Sequence, residues 1–218
     1  MKVTNKNIAV LEDDTHISYW VEQSGRLDHD EYALPIILEH IHQGDTVVDV
    51  GAFIGDHTIA YCNAVGESGH VHAFEPNAKA YECLEYNCKS AKTYNLGLSN
   101  VAETVFYCCE DKNAGAGRIL RDTPTSTQIK TITLDSLKLS ALDFLKIDVE
   151  GYEVAVLEGA ALTIKKYRPK MWIEINVGAL SQNGKTAADI ESFLSKLDYT
   201  YTAFPEIGEQ YDLLCIPT

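Results

Sequence analysis

The stretch TVVDVGAFIGDHT, Thr46–Thr58, decides the fold. Val47, Val48 and Val50 form the short β-branched run typical of a strand buried on both faces. Gly51 and Gly55 then let the backbone turn tightly and approach a ligand where a side chain would block it. A helix follows. Strand, glycine turn and helix in this order bring unpaired backbone N–H groups to the carboxyl edge of a sheet, where α/β proteins bind their ligands.

Working outward, His70–Glu75 reads as a second strand closed by Pro76, Lys79–Lys89 as a helix and Thr93–Leu98 as a third strand. Val101–Cys109 and Gln128–Leu134 have strand character. The polar, glycine-rich Asp111–Thr127 between them predicts a long mobile loop. Leu142–Val149 is the next buried strand, Glu153–Lys166 a helix broken by Pro169, Met171–Ile175 a strand and Ala187–Leu197 a helix. Tyr199–Phe204 and Tyr211–Ile216 predict a closing hairpin with Gly208 in its loop. Upstream, Asn7–Leu11 suits a short strand. Ala33, Ile36, Ile37 and Ile41 recur at helical spacing over Asp30–His42, and Gly44 is a stop signal. The order predicts an α/β fold: a doubly wound, mostly parallel seven-stranded sheet with an antiparallel edge hairpin. One domain over 1–218 is expected, with 1–43 as an N-terminal helical and strand extension.

The totals narrow the partners. With 218 residues, 45% of them hydrophobic, the chain can bury one sizeable core. A net charge of −14 disfavours nucleic acid and anionic membrane surfaces and suits a neutral or cationic ligand. The six cysteines include no C-x-x-C pair and no zinc spacing, which predicts free thiols in a reducing compartment. No signal-peptide core opens the chain, and no apolar run approaches the roughly 20 residues of a membrane span. A cytoplasmic protein is expected.

A dinucleotide turn would read G-x-G-x-x-G, but G-A-F-I-G stands here, with Phe53 in place of the second glycine. That glycine admits a pyrophosphate, so Phe53 argues against NAD or FAD. Glu75 ends the second strand at about the spacing, roughly 20 residues on, at which an acid accepts hydrogen bonds from a ribose diol. Turn, strand-end acid and α/β order together favour S-adenosylmethionine, which carries a ribose and a sulfonium but no phosphate.

The second dense stretch is DFLKIDVEGYEVAVLE, Asp143–Glu158. With Val149 turned into the core, Asp148 and Glu150 both face the cleft. Gly151 permits the turn into the next helix, and Glu153 falls in that helix's first turn, where a negative charge meets the dipole. Lys146, two residues before Asp148, either pairs with an acid or snorkels. In the following strand, IEIN, Glu174 and Asn176 share a face. Asp148, Glu174 and Asn176 are thus a candidate set for a divalent metal, Mg²⁺ or Mn²⁺, or equally for orienting sugar hydroxyls.

VVDVGAFIGDHT, HAFEPN, LDFLKIDVEGYEVAVLEGA and MWIEIN together resemble the FkbM-type family of S-adenosylmethionine-dependent methyltransferases, over roughly Gly44–Asn176. The resemblance implies a Rossmann-like class I methyltransferase fold and O-methylation of a sugar hydroxyl on a glycan or glycosylated small molecule. By position it implies that Asp49, Gly51, Ala52, Phe53, Gly55, His57, Thr58, Glu75, Pro76 and Asn77 surround the cofactor. Asp148 and Glu150 match the family's acidic pair near the acceptor, with Glu174 in support. The family usually has Asn where this chain has Phe53. A carbohydrate partner follows from the resemblance, and the chain is compatible with being one domain of a larger glycan-modifying polypeptide.

Methyl transfer to a hydroxyl needs alignment and a proton acceptor. Asp148 is the expected base, with His57 and His16 as rivals. The alternatives are a domain that holds S-adenosylmethionine without catalysis and a methyltransferase of a non-sugar small molecule. Base-amino methylation would call for an N/D-P-P-Y/F segment, where this chain has DVEG. Tyr19, Trp20, Tyr32 and Tyr107 are candidates for an aromatic sugar platform, and Arg118 and Arg121 for reaching the substrate.

Overall fold

The computed structural model describes residues 1–28, 30–110, 113–120, 127–205 and 210–218. The N-terminal part forms β1 (Lys2–Val3), β2 (Ala9–Val10), α1 (Ile17–Ser24) and α2 (Ala33–Leu38). The quoted stretch becomes β3 (Thr46–Val50) and α3 (Thr58–Val65), followed by β4 (His70–Phe74), α4 (Ala78–Asn87), β5 (Lys92–Tyr94) and β6 (Gly97–Leu98). Then come β7 (Thr104–Glu110), β8 (Asn113–Leu120), β9 (Thr127–Ile132) and a short 3-10 turn, Leu134–Leu137. The second dense stretch supplies β10 (Phe144–Ile147), α5 (Glu153–Gly159) and α6 (Ala161–Tyr167). The chain closes through β11 (Lys170–Asn176), α7 (Val177–Gln182), α8 (Ala187–Lys196), β12 (Tyr199–Pro205) and β13 (Gln210–Pro217).

A seven-stranded sheet runs in the order β12-β13-β11-β10-β3-β4-β5. β11, β10, β3, β4 and β5 are parallel to one another, whereas β13 pairs antiparallel with both β11 and β12, so the sheet is mixed. Alternation splits its side chains between two cores. Val48, Val50, Leu145, Ile147 and Ile173 face a layer with α5 and α8, where Val154, Leu157, Ile190 and Leu194 are buried. Val47, Phe144 and Trp172 face the other way, against Leu34 and Ile37 of α2 and Tyr61 and Val65 of α3. Among the described residues no helix is long and apolar enough to cross a membrane. Cys62, Cys83, Cys88 and Cys215 are free thiols.

Three expectations are corrected. The mobile loop over 111–127 is replaced, in its described part, by strand β8, which pairs antiparallel with β7 in a separate four-stranded sheet, β6-β9-β7-β8. Its glycine content has a packing cause: a Cβ on Gly117 would lie 1.6 Å from the Tyr107 hydroxyl. Residues 111–112 and 121–126, and with them Arg121, lie outside the described residues, as does Gly208. The third strand is two strands in different sheets. The chain leaves β5 at Asn95, whose Nδ2 donates to the carbonyls of Glu75 (2.9 Å) and Pro76 (3.1 Å). The helix expected over Glu153–Lys166 breaks at Ala160, because the Ser99 carbonyl presses on Gly159 where a Cβ would sit, at 1.9 Å.

One amide side chain on α4 joins β2 to the turn after β3. Asn87 accepts from Ala9 N (2.8 Å) and donates to the carbonyls of Ala9 (2.9 Å) and Ile54 (2.8 Å). Gly159→Ala places a methyl against backbone that cannot swing away. We expect it to cost about 1–3 kcal/mol, the usual range for overpacking. Thermal unfolding followed by circular dichroism should register this as a fall of several degrees in Tm, and an unchanged Tm would contradict the close approach.

Candidate active site

Strand register assembles the site. Phe74, Val50, Ile147 and Ile173 are paired across β4, β3, β10 and β11. The next residue of each strand, Glu75, Gly51, Asp148 and Glu174, therefore falls in one row along the carboxyl edge. One step deeper, Asp49, Lys146 and Trp172 are likewise in register.

Gly51 adopts φ +83°, and a Cβ there would lie 1.8 Å from the Asp148 carbonyl oxygen. No side chain fits, so β3 and β10 turn off the sheet in contact. Phe53 adopts φ +46°, a region that asparagine tolerates and bulky residues rarely enter. The Phe53 N–H donates to Glu75 Oε2 (2.9 Å), and its ring is buried in a cluster with Val10, Val21 and Ile54. Glu75 Oε1 accepts from Asn77 N at 2.7 Å. Burial raises the Glu75 carboxyl to about 7, against the lowering effect of those two amides.

Lys146 is buried at the centre of the acidic end. Its Nζ lies 3.0 Å from Asp148 Oδ2, 3.3 Å from the Gly51 carbonyl oxygen and 3.7 Å from Asp49 Oδ1. Burial depresses the Lys146 ammonium, yet the charges of Asp148 and Asp49 outweigh it and hold the group well above the usual lysine range. Asp49 is fully buried, and its Oδ2 accepts from the Thr58 hydroxyl at 2.6 Å. Glu174, raised first by the charge of Asp148 and then by burial, lies directly opposite Asp212 across the antiparallel β11–β13 pair. Asp212 is itself buried and accepts from Trp172 Nε1 at 2.9 Å.

Asn176, the third oxygen donor expected of the metal set, is engaged elsewhere. Asn176 Oδ1 caps α7 by accepting from Ala179 N (3.0 Å), and its Nδ2 donates to Glu150 Oε2 (2.9 Å). The charge beside Asp148 is the Lys146 ammonium. Among the described residues, no group of three or more His, Cys, Asp or Glu is placed to hold a metal ion.

A cleft of about 350 Å³ opens over this row. Of the residues expected around the cofactor, Gly51, Phe53, His57, Glu75 and Pro76 line it, as do Asp148, Glu150 and Glu174. Asp49, Ala52, Gly55 and Thr58 lie behind the wall. Gly55 packs on α4, where a Cβ would meet Cys88 Sγ at 2.5 Å, and Ala52 N donates to the Phe74 carbonyl at 3.0 Å. Asn77 caps α4 and faces an adjoining hollow. Tyr107 and His16 reach the cleft, but Tyr19 and Tyr32 are exposed and Trp20 packs beside the N-terminal cluster, so the aromatic platform is not formed. Arg118 donates to Gln182 Oε1 at 3.3 Å.

Sequence reading missed Asp30, Trp172 and Asp212, all of which line the cleft. The pairing of Trp172 and Asp212 across adjacent strands gives no local signal. His57 Nε2 lies 3.2 Å from Asp30 Oδ2, and Nδ1 lies 3.1 Å from the Tyr61 hydroxyl, so both ring nitrogens are engaged. Burial raises the Asp30 carboxyl, but the hydrogen bond and charge of His57, with the N–H groups of Ala33 and Tyr32, bring it below the ordinary carboxylate range.

Glu153 is a further buried acid. Its Oε1 accepts from Gly151 N (2.8 Å), its Oε2 has no partner, and burial lifts it to about 8. A carboxyl raised in the folded state contributes stability that is full below its unfolded value and is lost as pH rises through the folded value. Stability should therefore fall between about pH 4.5 and pH 8, by up to about 5 kcal/mol for Glu153. Urea melts across that range should show a shallower slope for Glu153→Gln; an equal slope would contradict the assignment.

The sequence profile described as the Methyltransferase FkbM domain matches residues 49–201. Among solved structures, the chain is similar to the methyltransferase FkbM from Methylobacillus flagellatus KT (TM-score 0.57, 18% identity, covering 78% of this chain and 43% of that chain). It is also similar to the O-methyltransferase from Bacillus cereus in complex with SAH (TM-score 0.53, 15% identity, covering 92% and 88%). A third is the SAM-dependent O-methyltransferase from Thermotoga maritima (TM-score 0.52, 11% identity, covering 91% and 71%). These likenesses are of fold. The chain spans less than half the length of the Methylobacillus flagellatus protein. No curated protein sequence matches. With 49–201 matched, more than half of its length, the chain belongs to the FkbM methyltransferase domain family.

Proposed function

We propose that the protein is an S-adenosylmethionine-dependent O-methyltransferase acting on a sugar hydroxyl of a glycan or glycosylated small molecule. The observation that carries this reading is the single row Glu75, Gly51, Asp148, Glu174 at the mouth of the cleft. One end of the row suits a ribose and the other a hydroxyl that must lose a proton.

The donor set fits the methyl donor. Glu75 stands beside the Gly51 turn with both oxygens already oriented by backbone amides, and each oxygen keeps a lone pair for a ribose hydroxyl. The lining acids include Asp30, Asp56, Asp148, Glu150, Glu174 and Asp212, against Lys146 as the lysine, an excess of negative charge suited to a sulfonium and an ammonium. Bound S-adenosylmethionine supplies an electrophilic methyl group. This chain's residues do the rest. The Asp148 side chain, 31% exposed, reaches the cleft and can accept the proton of an acceptor hydroxyl. Glu174 and Asp212, facing each other across β11 and β13, offer acceptor oxygens to neighbouring hydroxyls. Tyr152 in the lining offers a face to a pyranose ring. His57, with both ring nitrogens engaged, is a weaker choice of base than Asp148. The net charge of −14 weighs against nucleic acid as acceptor.

Calorimetric titration with S-adenosylmethionine, followed by an acceptor screen over glycans and small hydroxylated compounds, tests the reading. Binding with methylation of a sugar supports it. Binding without any product would favour a non-catalytic domain, and product on non-sugar compounds alone would favour the small-molecule alternative. Glu75→Gln should weaken cofactor binding by about 10–100-fold, the loss of one charge-assisted hydrogen bond of roughly 1.5–3 kcal/mol. Asp148→Asn should lower turnover by about 10²–10⁴-fold while leaving cofactor affinity nearly intact. Near wild-type turnover in that variant would sink the assignment of the base.

A further inference from the structure

Nothing in the reaction requires a buried lysine, yet Lys146 is buried among carboxylates directly beneath the row of site residues. Its surroundings are specific. On β3 it meets Asp49, whose Oδ1 has no hydrogen-bond partner, at 3.7 Å. In the turn it donates to the Gly51 carbonyl, and after β10 to Asp148 Oδ2. Tyr61 of α3 and Asp56 of the turn also act on its charge, while Glu174 of β11 and Glu153 of α5 feel that of Asp148. The side chains of Asp49, Lys146 and Asp148 reach one another because 146 and 148 share a face of β10 and 146 is in register with 49.

The two ends tied by this ammonium are not equally secured by other means. The turn at Gly51 has further ties: Gly51 N and Ala52 N donate to the Phe74 carbonyl at 3.1 and 3.0 Å, and Phe53 N donates to Glu75. Asp148 is held differently. Its backbone N donates to the Val50 carbonyl at 3.1 Å, but among the described residues Lys146 is the sole cation paired with its side chain. Glu174 and Glu153 stand near enough that the Asp148 charge raises both of their carboxyls. Without the ammonium the Asp148 carboxylate loses its paired charge, and its side chain, 31% exposed, can turn outward to solvent.

From this geometry we infer that Lys146 is a positioning residue for methyl transfer: its ammonium fixes the Asp148 carboxylate at the acceptor end of the cleft while bracing the Gly51 turn from below. The inference rests on the reading of Asp148 as the base. Lys146 touches neither donor nor acceptor in this role and acts through Asp148, so its removal is felt in turnover and scarcely in cofactor affinity.

The test is a double-mutant cycle on the intact chain, with single-turnover transfer of a labelled methyl group and calorimetric binding of S-adenosylmethionine as separate readouts. Lys146→Met should lower turnover at least about 10-fold with the cofactor Kd changed less than about 3-fold. Lys146→Met combined with Asp148→Asn should be no slower than Asp148→Asn alone, within about 2-fold, because the tie has nothing left to hold. Should Lys146→Met fail to fold because Asp49 becomes an unpaired buried charge, Asp49→Asn and the Asp49→Asn, Lys146→Met pair replace wild type and single variant in the same comparison. Wild-type turnover in Lys146→Met, losses that multiply in the double variant, or a loss carried by the cofactor Kd would each overturn the inference. Wild-type turnover in Asp148→Asn overturns the base assignment first and the positioning role with it. A slow Asp148→Asn beside an unimpaired Lys146→Met overturns the positioning role alone.

Discussion

The carbonyl oxygen of Asp148 occupies the space in which residue 51 would carry a side chain. This contact constrains the rest of the site. It forces glycine at the end of β3, brings the turn against the end of β10, and sets the Gly51 turn and the acidic end a few ångströms apart. Because β4 and β11 are in register with these two strands, Glu75 and Glu174 complete the row without any further device. Parallel strands that end together leave their next residues side by side, and the chemistry of the site is the identity of those four residues.

Electrostatics then decides how such a row survives burial. Carboxylates at this density raise one another, as Glu174 shows, and a lysine among them is held far above its usual range. The arrangement is costly to stability unless compensated, since a buried pair seldom exceeds its desolvation penalty. The compensation is visible in hydrogen bonds: Asp49 to Thr58, Glu75 to two amides, Glu153 to Gly151 and Asp212 to Trp172. Asp49 Oδ1 and Glu153 Oε2 remain without a hydrogen-bond partner, a local cost of the kind that functional sites carry.

The parallel strands, the turn and the placement of Glu75, Asp148 and Glu174 were legible because each depends on short-range pattern: a β-branched run, a glycine pair, an acid directly after a strand. What escaped was long-range. Strand β8 looked like a loop because Gly117 was read as freedom, whereas its lack of a side chain is filled by Tyr107 from the neighbouring strand. Asn176 looked like a ligand because it shares a face with Glu174, but its carbonyl oxygen was needed at the start of α7. Lys146 left two readings open, and only the register of β10 on β3 brings it to Asp49. The helix break at Ala160 likewise reflects Ser99, some sixty positions upstream.

Phe53 carries one more consequence. Its backbone sits in a conformation unfavourable for an aromatic residue, and its ring is buried against side chains of the first 27 residues, including Val10, Val21 and Leu27. Asn87 clasps the same two segments: its Oδ1 accepts from Ala9 N, and its Nδ2 donates to the carbonyls of both Ala9 and Ile54. The ligand turn thus borrows its rigidity from a part of the chain that precedes the matched family region. Homology and cooperativity draw different borders here: the family boundary at residue 49 cuts through the hydrophobic cluster that keeps the turn in shape. Sequence divergence before that boundary can accordingly reshape the Gly51–Gly55 turn while every residue of the family motif stays the same.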